Sequence, residues 1–158
     1  MADYALKQKQ AKEISAMLCA KENELTDAVA HLQRELAEKK TELAEKEQEL
    51  IRCKAEQIPE SEQIVCIFPE GIQGDSLRIL MNAVLEKKRK LCAVFSGNDA
   101  AGYRYVIGSR DVDVRNMAKE LNAAFEGRGG GRPEMVQGTV RGTEEELRNW
   151  ILKKAEEL

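Results

Sequence analysis

The uneven placement of glycine and proline is the strongest constraint on how this chain can fold. The first 58 of its 158 residues contain neither, whereas all three prolines, all 11 glycines, the single tryptophan and the three phenylalanines come from Pro59 onward. A stretch with no helix breaker and no Trp or Phe to anchor a core is suited to one long helix rather than a compact domain. Pro59 disfavours helical geometry at the residue before it. Two segments are therefore expected, a helical stalk over residues 1–58 and a separately folding domain over residues 60–158.

Residues 3–57 are rich in Ala, Glu, Lys, Leu and Gln, and one heptad register runs through them. Position a falls on Gln8, Ser15, Glu22, Val29, Leu36, Leu43, Leu50 and Gln57, and position d on Tyr4, Ala11, Leu18, Leu25, Leu32, Lys39, Lys46 and Cys53. The seam is apolar in its middle and polar toward both ends, the pattern of a coiled coil of ordinary strength. A continuous helix of this length spans about 80 Å at 1.5 Å per residue and cannot bury its own stripe. A parallel, in-register pair would stack Lys39 on Lys39 and Glu22 on Glu22. An antiparallel pair whose residue numbers sum to 61 places Leu36 by Leu25, Leu43 by Leu18 and Val29 by Leu32. The same register sets Lys39 beside Glu22. An antiparallel homodimer through these residues is expected. The alternatives are a hairpin bent near residues 22–27 and a stalk completed by a helix from outside this chain.

Charge limits what the chain can bind. Residues 1–58 carry 10 Lys and Arg against 12 Asp and Glu, and residues 59–158 carry 15 against 16, for a net charge of −3. A protein that held nucleic acid by bulk charge would be clearly basic, so any such contact must be a local patch. No apolar run approaches the 18 residues of a membrane span, and the N-terminus lacks the apolar region of a signal peptide. The four cysteines (Cys19, Cys53, Cys66, Cys92) form no CxxC pair, which fits reduced thiols in a cytoplasmic protein. With His31 the only histidine, no zinc-ligand spacing exists in the chain, and no metal or cofactor is expected here.

The second segment alternates short apolar runs with helical periodicity. Residues 64–68 read as a strand. Asp75 then caps a helix carrying Leu77, Leu80, Met81, Val84 and Leu85, which ends in the solvated run Lys87-Lys88-Arg89-Lys90. Residues 91–96 and 103–108 form a strand pair. A helix from Asp111 or Asp113 carries Val114, Met117, Leu121 and Phe125, and after a glycine-rich run residues 135–141 form a fourth strand. Thr143-Glu144-Glu145-Glu146 is a capping box opening a last helix with Leu147, Trp150, Ile151 and Leu158. The order β-α-β-β-α-β-α specifies a small mixed-sheet α/β domain. Cys66 and Cys92 lie within apolar strands and read as small buried hydrophobes.

The run Arg128-Gly129-Gly130-Gly131-Arg132-Pro133-Glu134-Met135-Val136-Gln137-Gly138 carries the functional signal. It is neither a Walker A loop nor a GxGxxG turn, since no Gly-Lys-Ser/Thr follows and no strand-to-helix turn encloses it. Three glycines let backbone approach a bulky group, and successive N–H groups can form an anion-binding nest. Arg128 and Arg132 flank that nest and suit phosphate or a ribose–phosphate backbone. The residues leave open a second reading, a flexible turn between helix and strand. Residues 127–138 resemble the signature of the DHHA1 domain of alanyl-tRNA synthetases and free-standing alanyl-tRNA editing proteins. That signature is a triple glycine, a variable or basic residue, Pro, an acidic residue, a small or apolar pair, then Gln-Gly or Gln-Ala. Residues 107–115 (Ile-Gly-Ser-Arg-Asp-Val-Asp-Val-Arg) resemble the editing-protein form, and the similarity spans residues 60–158.

The resemblance implies a domain that holds tRNA and often dimerises. Its contact residues would be Arg128, Gly129, Gly130, Gly131, Arg132, Pro133, Gln137 and Gly138, and the stalk residues Leu18, Glu22, Leu25, Val29, Leu32, Leu36, Lys39 and Leu43 would form the dimer interface. Chemistry would sit elsewhere, in a zinc-dependent alanyl-tRNA deacylase domain with HxxxH and CxxxH ligand pairs or in the aminoacylation domain of an alanine–tRNA ligase. Neither is present in this chain, which is not expected to be catalytic by itself. Two other readings compete. One is the C-terminal substrate-binding domain of a DHH-family phosphoesterase, whose glycine run is usually followed by His where Arg132 stands. The other is a purely structural coiled-coil oligomerisation module.

Overall fold

A computed structural model describes all of residues 1–158. The chain falls into two units, Met1–Lys46 and Glu47–Leu158. None of its helices is long and apolar enough to cross a membrane.

In the first unit the stalk is not one uninterrupted helix. Helix α1 (Ala2–Leu18) ends where Cys19 takes a left-handed conformation, φ 51°. The Cys19 and Ala20 amides donate back to the Ala16 and Ser15 carbonyls, and the Ser15 hydroxyl donates to the Ala20 carbonyl. A left-handed non-glycine residue costs about 1–2 kcal/mol, and these three bonds at the helix end offset it. A 3-10 turn (Glu22–Glu24) then leads into α2 (Leu25–Gln57). The break falls close to the bend considered from sequence, but α1 buries no residue, so no closed hairpin forms. Of the expected seam, Leu18 and Leu25 are half-buried at the elbow. Val29, Leu32, Leu36 and Leu43 are 40%, 52%, 54% and 67% exposed, leaving the apolar stripe of α2 without a partner within the chain.

The second unit begins at Glu47, not at residue 60, because Ile51 and Ala55 near the end of α2 are buried in its core. Its strands are β1 (Ile64–Ile67), β2 (Leu91–Asn98), β3 (Gly102–Ser109), β4 (Arg128–Arg132) and β5 (Met135–Val140), ordered β1-β2-β3-β5-β4 in one sheet. β1 and β2 are parallel, joined through α3 (Ser76–Glu86), and every other pairing is antiparallel. This mixed α/β sheet carries one strand more than the sequence order predicted.

Side-chain alternation along the strands divides the core into two layers. Cys92, Val94 and Val106 point to one face, where α3 supplies Leu77, Leu80, Met81, Val84 and Leu85 and the end of α2 supplies Ile51 and Ala55. Leu91, Ala93, Phe95, Tyr103, Tyr105, Ile107, Val136 and Val140 point to the other, under α4 (Arg115–Ala124) and α5 (Glu144–Glu156). The capping box expected at Thr143 and Glu146 is present and opens α5. Its inward residues are Leu147, Ile151 and Ala155, while Leu158 is exposed.

One charged residue lies where the sequence suggested a solvated helix end. Arg89, 2% exposed, donates to the carbonyls of Ile58, Glu60 and Glu62 and ties the α2–β1 connection to the end of α3.

Candidate nucleic-acid interface

The glycine-rich run is an edge strand rather than a nest. Arg128 to Arg132 pair antiparallel with β5 in the register Arg128↔Thr139, Gly129↔Gly138, Gly130↔Gln137, Gly131↔Val136 and Arg132↔Met135. None of the three consecutive glycines has positive φ, and the alternation of conformations that makes a nest is absent. Pro133 and Glu134 close the hairpin. Neither has positive φ, which excludes a primed turn. The Pro133 carbonyl accepts from the Val114 amide at 2.9 Å, and the Glu134 carbonyl from the Ser109 amide at 3.1 Å. The turn is thereby tied to the start of α4 and the end of β3.

The strand separates the residues singled out from sequence onto two faces. Gly129 and Gly138 sit side by side under Tyr105. A Cβ on Gly129 would lie 2.6 Å from the Tyr105 hydroxyl, and one on Gly138 would lie 2.9 Å from Tyr105 Cε1. These glycines leave the room that lets a tyrosine ring lie across β5 and β4 and lets α4 approach. Tyr105 is fully buried, and its hydroxyl donates to Asn122 Oδ1 at 3.0 Å while Asn122 Nδ2 donates to the Gly129 carbonyl at 3.4 Å. Burial raises the Tyr105 phenol above its ordinary pKa, keeping it a neutral donor. Gly129 and Gly138 therefore have a packing role, and Gly131 also faces this side, against Val136.

The opposite face is open. α3 covers the sheet only as far as Gly108, where Met81 and Leu85 press on the glycine. Beyond it lie Gln137 and Thr139 of β5, Arg128, Gly130 and Arg132 of β4 and Arg104 of β3, all exposed. A Cβ on Gly130 would meet nothing within 4 Å. Two shallow depressions share Gln137. One is lined by Arg104, Arg128, Gly138 and Thr139, and the other by Arg78, Asn82, Arg110, Arg132 and Glu134 among its residues. Of the predicted contact residues, Arg128, Gly130, Arg132 and Gln137 thus share one surface, which Gly131 and Gly138 border with backbone alone; the Cβ directions of Gly129, Gly131 and Gly138 point to the other side and Pro133 lies in the turn.

Arg78, Arg104 and Arg110 were not read from the sequence. Arg104 carries a usable signal, being the one charge in the apolar alternation of β3, Tyr103-Arg104-Tyr105-Val106-Ile107, and so pointing away from the core. Arg78 and Arg110 carry none, since they reach the surface only through the packing of α3 on the sheet.

Elsewhere in the unit, Arg52 and Arg141 make no ion pair, but Arg115 is forked onto Asp113, whose carboxyl it holds down at about 2, Arg148 pairs with Glu144, and Arg89 is spent on backbone. Arg78, Arg104, Arg128 and Arg132 also make no ion pair, and Arg110 donates only to Asn82 Oδ1 at 3.4 Å. Five guanidinium groups with no carboxylate partner border one polar sheet face, with Glu134 the one acid lining the depressions. Such a surface is suited to an anionic ligand held by forked donors.

Comparison with known proteins places this architecture. The chain is 26% identical over 134 residues to the alanine–tRNA ligase of Francisella tularensis subsp. holarctica (strain OSU18), covering 79% of this chain and 16% of the ligase. It is 29% identical over 82 residues to the alanine–tRNA ligase of Acholeplasma laidlawii, covering 51% of this chain and 10% of the ligase. It thus spans about a sixth or less of the length of these relatives. Among solved structures, RecJ in complex with Mg2+ from Thermus thermophilus superposes with a TM-score of 0.56 at 18% identity, covering 92% of this chain and 23% of that one, a likeness of fold. The DHHA1 domain model matches residues 61–158, the greater part of the chain and nearly all of the sheet-bearing unit. The chain belongs to the DHHA1 domain family.

Proposed function

We propose that this chain is the tRNA-binding and self-associating region of an enzyme that handles alanine-charged tRNA in the cytoplasm, either an alanine–tRNA ligase or an alanyl-tRNA editing protein, with catalysis supplied by another domain. The observation that carries this reading is the convergence of Arg78, Arg104, Arg110, Arg128 and Arg132, free of ion pairs, on one uncovered sheet face of a chain whose net charge is −3. Unpaired guanidinium groups on a net-acidic protein mark a local anion site rather than general charge attraction. The likeness to alanine–tRNA ligases supports tRNA as the polyanion. Gly130, with open space where a side chain would be, lets a sugar–phosphate backbone come down onto the sheet between the arginines.

The test is fluorescence anisotropy with labelled alanine tRNA at several salt concentrations. Replacing Arg128 and Arg132 together by alanine weakens binding by about the same factor for different tRNA sequences and flattens the salt slope by about two units. Undiminished binding by the double variant refutes this placement of the site.

Self-association is the second half of the proposal. The exposed stripe Val29, Leu32, Leu36 and Leu43 takes the same stripe of a second copy running antiparallel. Leu25 packs by Leu36 of the second copy and Lys39 meets its Glu22. The elbow at Cys19 confines continuous helical pairing to residues 25–36, since Glu22 lies in the 3-10 turn and Leu18 on a separate helix. Alone, Lys39 bonds Glu42 of its own helix at 2.7 Å, an exposed pair that water screens and that gives way at little cost.

A further inference from the structure

The proposed RNA contact does not by itself say which form of RNA the face takes. Proteins that grip single strands do so with exposed rings on which bases stack, together with a basic track for the backbone. The rings of the sheet-bearing unit are not available for this. Tyr105 and Phe95 are fully buried. Tyr103 is buried with its hydroxyl on Asp99, and Phe125 and Trp150 pair with each other on the α4–α5 side of the sheet. Phe68 stacks on Phe95 beneath the Arg148 guanidinium and lines a different depression. The arginine-bordered surface has no stacking platform anywhere on it.

What it has instead suits a helical backbone whose bases already stack on one another. Arg104 and Arg128 stand at one end and Arg132 with Arg110 and Arg78 at the other. Arg128 and Arg132 are four residues apart on one extended strand, about 13 Å, and β3, β5 and β4 together span about 10 Å. Thr139 lies between Arg104 and Arg128, paired with both, and Gln137 lies between that group and the other; both are neutral side chains that donate and accept. Beside Gln137 is Gly130, where nothing projects. The surface is thus a shallow polar floor between two clusters of phosphate-gripping forks. The wide, shallow minor groove of an A-form duplex presents the counterpart, two phosphate rows with ribose 2′-hydroxyls between them.

Resting on the reading of this face as an RNA site, we infer that it takes the sugar–phosphate backbone of double-helical RNA across the minor groove, and that it does not read unpaired bases. Arg78, Arg104, Arg110, Arg128 and Arg132 grip phosphates, and Gln137 and Thr139 meet ribose hydroxyls. Sequence has little influence because the contacts are to phosphates and ribose hydroxyls, which every base pair presents alike. Five phosphate contacts predict a salt slope of about −4.

The experiment compares the full chain's binding to an RNA duplex of about 16 base pairs and to each of its component strands alone, by anisotropy at matched salt. The duplex should bind at least tenfold tighter than either strand. Arg104→Ala, outside the glycine motif, should lose about tenfold on the duplex. Gly130→Val, which has room to fold and is checked by thermal melting, should lose at least as much by lifting the backbone off the floor. Equal or tighter binding of a single strand overturns this inference while leaving the RNA-site reading standing. Absence of binding to any of the three RNAs overturns both. Unchanged duplex affinity in Arg104→Ala removes the ligand from this face.

Discussion

Three consecutive glycines that look equivalent in sequence should respond oppositely to a single methyl group. At Gly130 an added Cβ meets nothing within 4 Å and the backbone is extended, so alanine fits without strain. The change removes glycine's freedom in the unfolded chain and should raise stability by about 0.4–1 kcal/mol. At Gly129 the same methyl lies 2.6 Å from both the Gly138 Cα and the Tyr105 hydroxyl. Backbone cannot give way within a paired strand, and Tyr105 can yield only by breaking its 3.0 Å bond to Asn122. An overpacked site of this kind costs about 1–3 kcal/mol, and the lost buried hydrogen bond adds about 1 kcal/mol. Gly129→Ala should therefore be less stable than Gly130→Ala by roughly 2.5–5 kcal/mol, a difference near 4 °C of melting temperature per kcal/mol for a unit of this size. Urea unfolding followed by circular dichroism measures both, with the midpoint moving and the slope constant. Equal loss of stability in the two variants would mean that β4 does not alternate its faces as described, and the division of the glycine motif into packing and ligand sides would fall with it.

Other perturbations test separate parts of the structure. Arg89→Ala leaves the Ile58, Glu60 and Glu62 carbonyls without their donor and should cost roughly 2–4 kcal/mol in urea unfolding, with Arg89→Lys recovering only part because an ammonium lacks the fork. Of the four thiols, exposed Cys19 and Cys53 should react with a chromogenic disulfide at pH 8, while Cys66 and Cys92 should react only on unfolding, because burial pushes Cys66 up to about 12 and Cys92 higher still. The same shifts predict the direction of alkaline stability. The folded state keeps protons that unfolded thiols release above about pH 9, so stability is intact below that pH and falls as pH rises through the interval toward 12. Replacing both cysteines by alanine should flatten that fall. In sedimentation equilibrium, Leu36→Lys should weaken self-association, whereas Lys39→Leu should preserve or strengthen it. A wild-type chain that is monomeric at high micromolar concentration refutes the seam.

The sequence made legible whatever depends on local pattern. The strands at β1, β2, β3 and β5 and the helices α3, α4 and α5 follow from hydrophobic periodicity, and the Thr143–Glu146 cap from four residues alone. β4 was hidden because Arg-Gly-Gly-Gly-Arg has no strand propensity of its own. It is extended because a two-residue turn lays it against β5 and because Tyr105 needs bare backbone to lie on. The elbow was legible only as an alternative bend near residues 22–27, since every residue around Cys19 tolerates a helix and the left-handed turn rests on bonds that form only with it. The candidate site was half legible. Arg128, Gly130, Arg132 and Gln137 lie within the motif, but Arg78 and Arg110 join them only through tertiary packing.

The burial of Ile51 and Ala55 bears on how the sheet-bearing unit could be excised. The family match begins at residue 61, and the proline before it invites a cut there. Such a cut removes two side chains that are 3% and 2% exposed and opens the apolar layer to which they belong. It also removes Ile58, whose carbonyl is one of three on Arg89. Withdrawing an isoleucine and an alanine from a finished core forfeits about 3 kcal/mol, a large share of the 5–15 kcal/mol that holds a domain together. The excised fragment would therefore present a sticky apolar trough where a helix used to lie, and would precipitate rather than report on the domain. A piece starting at Glu47 keeps its own lid.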